Sequence, residues 1–210
     1  MSPETAAVTL ADWPHVYREG STDRPVLLML HGTGATEHDL LGLAAALDPA
    51  AAVLSPRGRV SENGMNRWFR RLSEGIFDLD DVERRADELA EFVTQARTQY
   101  NLGDREVVAV GFSNGANVGL ATVLRHPLTV PRAVAFSGMN PLPGRELPAS
   151  LSNTAVLLLN GDSDPMAPSA SVDSLEARLT ELGATVQRER RAGGHGIAET
   201  DVAAATAWLD

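Results

Sequence analysis

Short apolar runs alternate along this chain with longer stretches in which apolar residues recur at helical intervals. The short runs are rich in Val and Leu and are bounded by Gly, Pro or Ser. Such runs are typical of buried strands in a parallel sheet, because both faces of that sheet are covered. We therefore predict strands over Pro25–Leu30, Ala52–Leu54, Val107–Val110, Ala133–Phe136 and Ala155–Leu159, with a further strand over Thr185–Arg190.

The stretches between these runs predict helices. The clearest is Asp78–Tyr100, where apolar residues three and four apart form one stripe that can pack on a sheet. Further helices are predicted over Glu37–Leu47, Asn114–Arg125, Ser169–Leu182 and Ala198–Leu209, the first of them capped by Thr36. Strands that alternate with helices predict an α/β fold, with a mostly parallel sheet flanked by helices on both faces.

The segment Pro56–Phe77 lacks clear periodicity. Long loops in compact domains are usually functional or mobile, and we predict that this one forms a wall facing the substrate. Its arginines Arg67, Arg70 and Arg71 could contact an acidic substrate. The alternative is that they form a solvated face or internal ion pairs, as such runs on acidic proteins more often do.

The amino-acid composition restricts the classes of protein to which this chain can belong. The 210 residues are 43% hydrophobic and 22% charged, which fits one globular domain over residues 1–210. The formal net charge of -10 repels phosphate backbones, so we expect no nucleic-acid partner. No apolar run is long enough to span a membrane and no signal-peptide pattern is found at the start, which predicts a cytoplasmic protein without membrane insertion. The sequence leaves open whether the protein forms a homodimer.

The residue types also restrict the catalytic groups, metal sites and cofactor sites that the chain can form. The chain has no cysteine, which excludes disulfides, thiolate metal sites and a cysteine nucleophile. Its five histidines show no paired metal-ligand spacing, so no metal is expected. Gly32 and Gly34 follow a predicted strand, as in a phosphate-binding loop, but Glu37 stands where a dinucleotide motif has its third glycine, and the lysine of a P-loop is missing. We therefore expect no cofactor.

The segment Gly111-Phe112-Ser113-Asn114-Gly115 joins a predicted strand to a predicted helix. A G-x-S-x-G sequence in this setting is the nucleophile elbow, a strained turn that lifts the serine hydroxyl clear of the sheet. The glycines are required because strand and helix approach closely there. Ser113 is therefore the predicted nucleophile. A glycine-rich turn without catalytic function is the alternative.

An acid and a base follow the nucleophile along the chain. Asp162 and Asp164 come directly after the predicted strand Ala155–Leu159. We predict that Asp164 orients the base, because Pro165 makes its backbone rigid, and we keep Asp162 as the alternative. His195 lies between glycines, which allow its ring to reach the serine, and is the predicted general base. The order Ser, acid, His is that of α/β-hydrolases and differs from the chymotrypsin and subtilisin orders.

The loop His31-Gly32-Thr33-Gly34 follows another predicted strand, at the edge where α/β folds place their sites. A tetrahedral intermediate carries negative charge on the former carbonyl oxygen, and backbone N–H groups can stabilise it. We expect Thr33 and Asn114 to donate these hydrogen bonds. Asn114 also begins a helix, whose dipole favours negative charge at that end.

The chain resembles the phospholipase/carboxylesterase family of small α/β-hydrolases over nearly its whole length. The matching segments are LMLHGTGATEHDLL (Leu28–Leu41), SPRG (Ser55–Gly58), NGMNRWFRRLSEGIFD (Asn63–Asp78), GFSNGAN (Gly111–Asn117), GDSDPMAP (Gly161–Pro168) and GGHG (Gly193–Gly196). The resemblance implies a single α/β-hydrolase domain with Ser113, Asp164 and His195 as catalytic triad. It also implies that Thr33 and Asn114 form the oxyanion hole.

Within that family, SPRG followed by RWFRR is similar to a bacterial branch of carboxylesterases. The related acyl-protein thioesterases usually have Gln after the nucleophile, where this chain has Asn114. The resemblance therefore implies a carboxylesterase that cleaves small to medium esters through an acyl-enzyme on Ser113. A thioesterase, a lactone or dienelactone hydrolase, and a ligand-binding protein without catalysis are the alternatives.

The sequence has no large insertion that could form a cap over the site. We therefore expect an open groove for a small-molecule ester. Four apolar side chains are predicted to line it, namely Met65, Trp68, Phe69 and Met166. The alternative for Trp68 and Phe69 is that they anchor their loop on the core.

Overall fold

A seven-stranded sheet forms the centre of the protein in the computed structural model, which describes residues 9–147 and 150–210. In chain order, the strands of the described residues are β1 (His15–Arg18), β2 (Val26–Leu30), β3 (Ala52–Pro56), β4 (Val60–Glu62), β5 (Met65–Arg67), β6 (Arg71–Ser73), β7 (Ile76–Phe77), β8 (Val107–Phe112), β9 (Arg132–Phe136), β10 (Ala155–Gly161) and β11 (Thr185–Arg191). The order in the sheet is β1-β3-β2-β8-β9-β10-β11. Within this sheet, β1 pairs antiparallel with β3, and all other neighbouring strands pair in parallel.

Helices cover both faces of this sheet. Over the described residues the α-helices are α1 (Leu41–Leu47), α2 (Leu79–Gln99), α3 (Asn114–Arg125), α4 (Ser169–Glu181) and α5 (Glu199–Leu209). Side chains alternate along β2, so that Leu28 and Leu30 pack in the cluster of α2, α3 and α4, while Leu27 and Met29 pack in the cluster of α1 and α5. The predicted fold class is confirmed. No helix in the described part of the chain is long and apolar enough to cross a membrane.

Two predictions about individual elements are wrong. The helix predicted over Glu37–Leu47 begins only at Leu41, because the Asp39 carboxylate accepts hydrogen bonds from the backbone N–H and the hydroxyl of Thr36 and closes a separate turn there. Thr36 consequently does not cap the helix. The segment Pro56–Phe77, predicted as a loop, contains two short hairpins, β4–β5 and β6–β7.

Candidate active site

The candidate active site lies at the carboxyl edge of the parallel strands. Ser113 follows β8 directly, while Asp164 and His195 lie in the loops after β10 and β11. Parallel strands all end at the same edge of a sheet, so loops that are distant in sequence meet there. The structure thereby brings the three residues of the predicted triad together.

Ser113 has φ 55° and ψ −116°, a backbone conformation that residues with side chains rarely adopt. The neighbouring glycines allow the sharp turn. A Cβ atom at Gly115 would lie 1.9 Å from the carbonyl oxygen of Leu30, and one at Gly111 would lie 2.5 Å from the backbone nitrogen of Ala116. Glycine is therefore required at both positions for steric reasons.

A chain of hydrogen bonds joins the three side chains. His195 Nε2 lies 2.9 Å from Ser113 Oγ, and His195 Nδ1 lies 2.8 Å from Asp164 Oδ2. The other carboxylate oxygen, Oδ1, accepts hydrogen bonds from the backbone N–H groups of Met166 and Ala167. The Asp164 side chain is fully buried. An imidazole that donates from Nδ1 to this fixed carboxylate presents an unprotonated Nε2 to the hydroxyl, which is the geometry for taking up its proton.

Two residues that the sequence did not single out hold the loop of His195. Ser137 Oγ donates to the carbonyl oxygen of Gly196 at 3.0 Å. Arg191 Nη2 donates to the same oxygen at 2.8 Å, and its Nε donates to buried Asp201 at 2.6 Å. Arg191 shows no distinctive local signal in the sequence, and the contact between Ser137 and Gly196 joins segments too far apart to be predicted from a local pattern.

Asp162, the alternative acid, lies elsewhere in the same turn. Its side chain is exposed, and its Oδ1 accepts hydrogen bonds from the Gly193 N–H at 3.3 Å and from the Ser163 hydroxyl at 3.2 Å. It therefore ties the turn after β10 to the glycines before His195. The contact with His195 Nδ1 is made by Asp164.

Thr33 and Asn114 line one cavity together with Ser113. Asn114 is the first residue of α3, where backbone N–H groups have no acceptor within the helix and the helix dipole is positive. The loop of Thr33 is fixed by His31, because His31 Nε2 accepts from the Gly58 N–H at 2.9 Å, so that Nδ1 carries the proton and donates to the Gly32 carbonyl. Burial lowers the pKa of His31, which keeps this imidazole neutral.

Strand β5 holds the other side of the loop. The Gly34 N–H donates to the carbonyl oxygen of Asn66 at 2.8 Å, and Asn66 Nδ2 donates to the carbonyl oxygen of Ala35 at 2.9 Å. Arg67 Nη1 donates to Thr33 Oγ1 at 2.9 Å. The β4–β5 hairpin therefore sets the position of the Thr33 backbone relative to Ser113.

The cavity beside Ser113 has a volume of about 710 Å³. Met166, one of the side chains predicted to line a groove, lines it together with Ile76, Phe77, Leu79, Met139 and Pro143. Its polar and charged lining includes Arg67, Arg71, Glu74, Asn117 and Asn140. Among the residues that the sequence pattern missed are Met139 and Asn140, which follow β9 and are positioned by the Asn117 side chain through the Met139 N–H.

The other three predicted groove residues are placed differently. Trp68 is buried, and its indole N–H donates to the His31 carbonyl oxygen at 2.8 Å. Phe69 is fully buried with its ring against Phe77. Met65 is partly exposed beside Gly34. None of these three is among the residues of the described chain that line the cavity, and the alternative of anchoring on the core describes Trp68 and Phe69.

Fold and site together define a hydrolase of the α/β-hydrolase class. The family model described as Phospholipase/Carboxylesterase matches residues 11–210, and the chain belongs to this family. The protein is 38% identical to "Putative hydrolase MhqD" of Bacillus subtilis (strain 168), over 92% of this chain and 96% of that protein. The predicted resemblance and the predicted class of enzyme, a hydrolase of the carboxylesterase type, are thereby confirmed.

Solved structures agree with this assignment. The Bacillus cereus carboxylesterase superposes with a TM-score of 0.91 at 40% identity and covers 95% of this chain and 94% of its own. The structure of YahD with malic acid superposes with a TM-score of 0.87 at 31% identity and covers 94% of this chain and 98% of its own. Both alignments extend over nearly the whole α/β unit.

Proposed function

We propose that this protein is a serine carboxylesterase that cleaves small to medium esters through an acyl-enzyme on Ser113. The observation that supports this best is the pair of hydrogen bonds made by His195, at 2.9 Å to Ser113 Oγ and at 2.8 Å to Asp164. A serine hydroxyl is a weak nucleophile unless a base removes its proton, and this contact supplies the base.

In the proposed first step, Ser113 Oγ attacks the ester carbonyl carbon while His195 Nε2 takes the hydroxyl proton. Asp164 keeps the proton on Nδ1 and stabilises the imidazolium that forms. The intermediate collapses when His195 returns the proton to the leaving alkoxide, so that the alcohol departs and the acyl group stays on Ser113. Water then attacks the acyl carbon while His195 takes one of its protons; the bond from the acyl carbon to Ser113 Oγ breaks, His195 returns the proton to Oγ, and the carboxylic acid is released.

The charge that develops on the carbonyl oxygen is proposed to be stabilised by the backbone N–H groups of Thr33 and Asn114. Both residues line the cavity beside Ser113, and Asn114 adds the positive end of α3. Removal of one such donor costs a factor of about 10²–10³ in rate in other serine hydrolases. These donors act in the transition state, so they lower the barrier more than they tighten substrate binding.

The substrate class is supported by the cavity and by the relatives. A volume of about 710 Å³ fits a small or medium ester, and both apolar and polar side chains line the cavity. The Bacillus cereus relative is named a carboxylesterase, and YahD was solved with malic acid, a short carboxylic acid. We propose that short carboxylic acids and their esters are the molecules that this cavity accepts.

A fluorophosphonate probe and p-nitrophenyl esters of increasing acyl length test the proposal. The wild-type protein is expected to be labelled and to hydrolyse the esters. Ser113→Ala should not be labelled, and its kcat should be lower by a factor of at least about 10⁴. Ser171→Ala is the matched control, because Ser171 lines the same cavity. It should be labelled like wild type. Labelling of Ser113→Ala, or an unlabelled wild type, would contradict the proposal.

A further inference from the structure

Two arginines, Arg67 and Arg71, line the cavity beside Ser113 and share one carboxylate. Arg67 Nε lies 3.1 Å from Glu62 Oε2, and Arg71 Nε lies 2.9 Å from Glu62 Oε1. One negative charge therefore faces two positive charges. The Arg67 side chain is 5% exposed and that of Arg71 is 27% exposed, so the surplus charge is partly withdrawn from water.

An uncompensated positive charge of this kind destabilises the folded protein unless a bound anion neutralises it. A buried ion is destabilised when its charge is not fully compensated by opposite charge or by hydrogen bonds. In agreement with this, burial and the nearby charge of Arg71 lower the pKa of Arg67, and the charge of Glu62 offsets only part of this decrease. An anion placed between the two guanidinium groups would relieve both effects.

Donors remain available for such an anion. Within the described residues, the hydrogen bonds of these side chains use Arg67 Nε, Arg67 Nη1 and Arg71 Nε. A guanidinium group has five N–H donors, which leaves Arg67 Nη2 and both terminal nitrogens of Arg71. A carboxylate accepts from arginine more strongly than a neutral group does, and with two oxygens it can accept from both residues.

We infer that this cavity binds short esters that carry a carboxylate, and that Arg71, with Arg67, is the subsite for that carboxylate. The inference rests on the proposed function, which provides the cleavage at Ser113. The carboxylate must lie only a few bonds from the ester group, because Arg67 also contacts Thr33, whose backbone N–H is proposed to bind the ester carbonyl oxygen.

The carboxylate of Glu74, which lines the same cavity, limits the preference for a negatively charged substrate. Glu74 is exposed and lines the same cavity as these arginines. Its charge repels a bound anion, although water screens an exposed group strongly. Arg70, next in sequence to Arg71, belongs to a different environment. Its side chain is 59% exposed and pairs with Asp78 at 2.8 Å, outside the cavity lining.

The test compares monoethyl succinate with ethyl succinamate, a neutral ester of the same shape. The measured quantity is the ratio of kcat/KM for the charged ester to kcat/KM for the neutral ester. We expect a ratio above one for wild type and a ratio about tenfold lower for Arg71→Gln. Arg70→Gln is the matched control and should keep the wild-type ratio. Glu74→Gln should raise the ratio about twofold, a gain that misfolding could not produce.

A second pair of esters, 2-acetoxypropanoate and its amide, carries the charge on the alcohol part instead of the acyl part. A preference for the charged member of either pair supports the inference and identifies the half of the ester that bears the carboxylate. If the ratio is one for both pairs, or the same in Arg71→Gln as in wild type, the inference is overturned while hydrolysis of the neutral esters still supports the proposed function.

The subsite can also be tested without turnover. Succinate binding to Ser113→Ala, measured by calorimetry, should weaken about tenfold when Arg71→Gln is added. Equal affinity in the two variants would overturn the subsite. Should wild type hydrolyse none of the esters, the proposed function would fall, and this binding measurement would still decide whether the anion site exists.

Discussion

Asp162 and Asp164 are separated by one residue, yet their surroundings differ in every respect that matters for catalysis. Asp164 is buried, contacts His195 through one oxygen, and is held by two backbone N–H groups through the other. Asp162 is exposed and contacts Gly193. Because the difference lies in burial and partners, a matched pair of substitutions separates the two roles.

We predict that Asp164→Asn lowers kcat by about 10³–10⁴, since the amide favours the wrong tautomer of His195 and cannot stabilise the imidazolium. Asp162→Asn should change kcat less than about threefold, because an amide oxygen can still accept from the Gly193 N–H. Steady-state kinetics on one p-nitrophenyl ester measures both variants. Equal losses in the two would show that the turn as a whole, and not the contact of Asp164, carries the effect.

Among the elements, the β4–β5 hairpin links substrate binding to the proposed oxyanion hole. Its Asn66 and Arg67 hold the loop of Thr33 through a backbone, an amide and a guanidinium contact. Arg67 also pairs with Glu62 on the other strand of the hairpin. Displacement of this hairpin would therefore move the proposed oxyanion donor and the carboxylate subsite together.

The hydroxyl of Thr33 provides the test of this coupling. Thr33→Val keeps the shape and the backbone N–H but removes the acceptor for Arg67, which leaves a buried guanidinium donor unpaired. We expect kcat to fall about tenfold with a smaller change in KM, because a displaced oxyanion donor acts mainly in the transition state. Thr33→Ser restores the acceptor and should recover most of kcat. If serine fails to restore the rate, the contact with Arg67 does not position the loop.

The elements that could be predicted from sequence are those with a strong local signal. Buried strands such as β2 and β8 are continuous apolar runs, and Gly111 with Gly115 is required by sterics inside the elbow itself. By contrast, β1 and the two hairpins are short and partly exposed, so their sequences show neither an apolar run nor regular alternation.

Long-range contacts explain the rest of the differences. Its residue type makes Trp68 a candidate groove residue, but its backbone N–H donates to the Asn114 side chain and its indole N–H donates to the His31 carbonyl oxygen. Both partners lie far away in the sequence, and no local pattern encodes them. The same holds for Ser137 and for Arg67, whose contacts with Gly196 and Thr33 exist only once the sheet has formed.

Another contact between segments gives a prediction for pH dependence. Glu37, after β2, pairs with Arg57, after β3, through Nη2 at 2.7 Å. The hydrogen bonds from Arg57 lower the pKa of Glu37 from 4.5 to about 2. A carboxyl group with a lower pKa in the folded state stabilises the fold above its unfolded pKa, and this contribution is lost as the pH falls toward the folded value.

We therefore expect wild type to be more stable than Glu37→Gln at pH 7 by roughly 2 kcal/mol, and this difference to shrink between about pH 5 and pH 2. Free energies of unfolding from urea titrations at several pH values measure it. Arg57→Gln should remove the same pH-dependent part, because the pair acts as a unit. A difference that stays constant over this range would exclude titration of Glu37 as its cause.

At the scale of the whole molecule, the site is a local exception to the overall charge. The chain carries a formal net charge of -10, whereas the guanidinium groups of Arg67 and Arg71 place positive charge in the lining of the cavity. The long-range field thus disfavours polyanions, and the short-range field favours one small carboxylate. The two effects act over different distances, since salt screens exposed charges beyond about 8–10 Å but screens partly buried ones less.

The single sheet also supports the proposal that residues 1–210 form one domain. Leu54 in β3 and Leu158 in β10 lie toward opposite ends of the sheet, yet both are fully buried in the same hydrophobic cluster. Each change, Leu54→Ala or Leu158→Ala, should cost about 2–5 kcal/mol and should lower the midpoint of one shared unfolding transition. Circular dichroism and Trp fluorescence, followed through the same urea titration, should give coincident curves for wild type and for both variants. Two transitions, each shifted by only one of the substitutions, would instead show that the two ends of the sheet unfold as separate units.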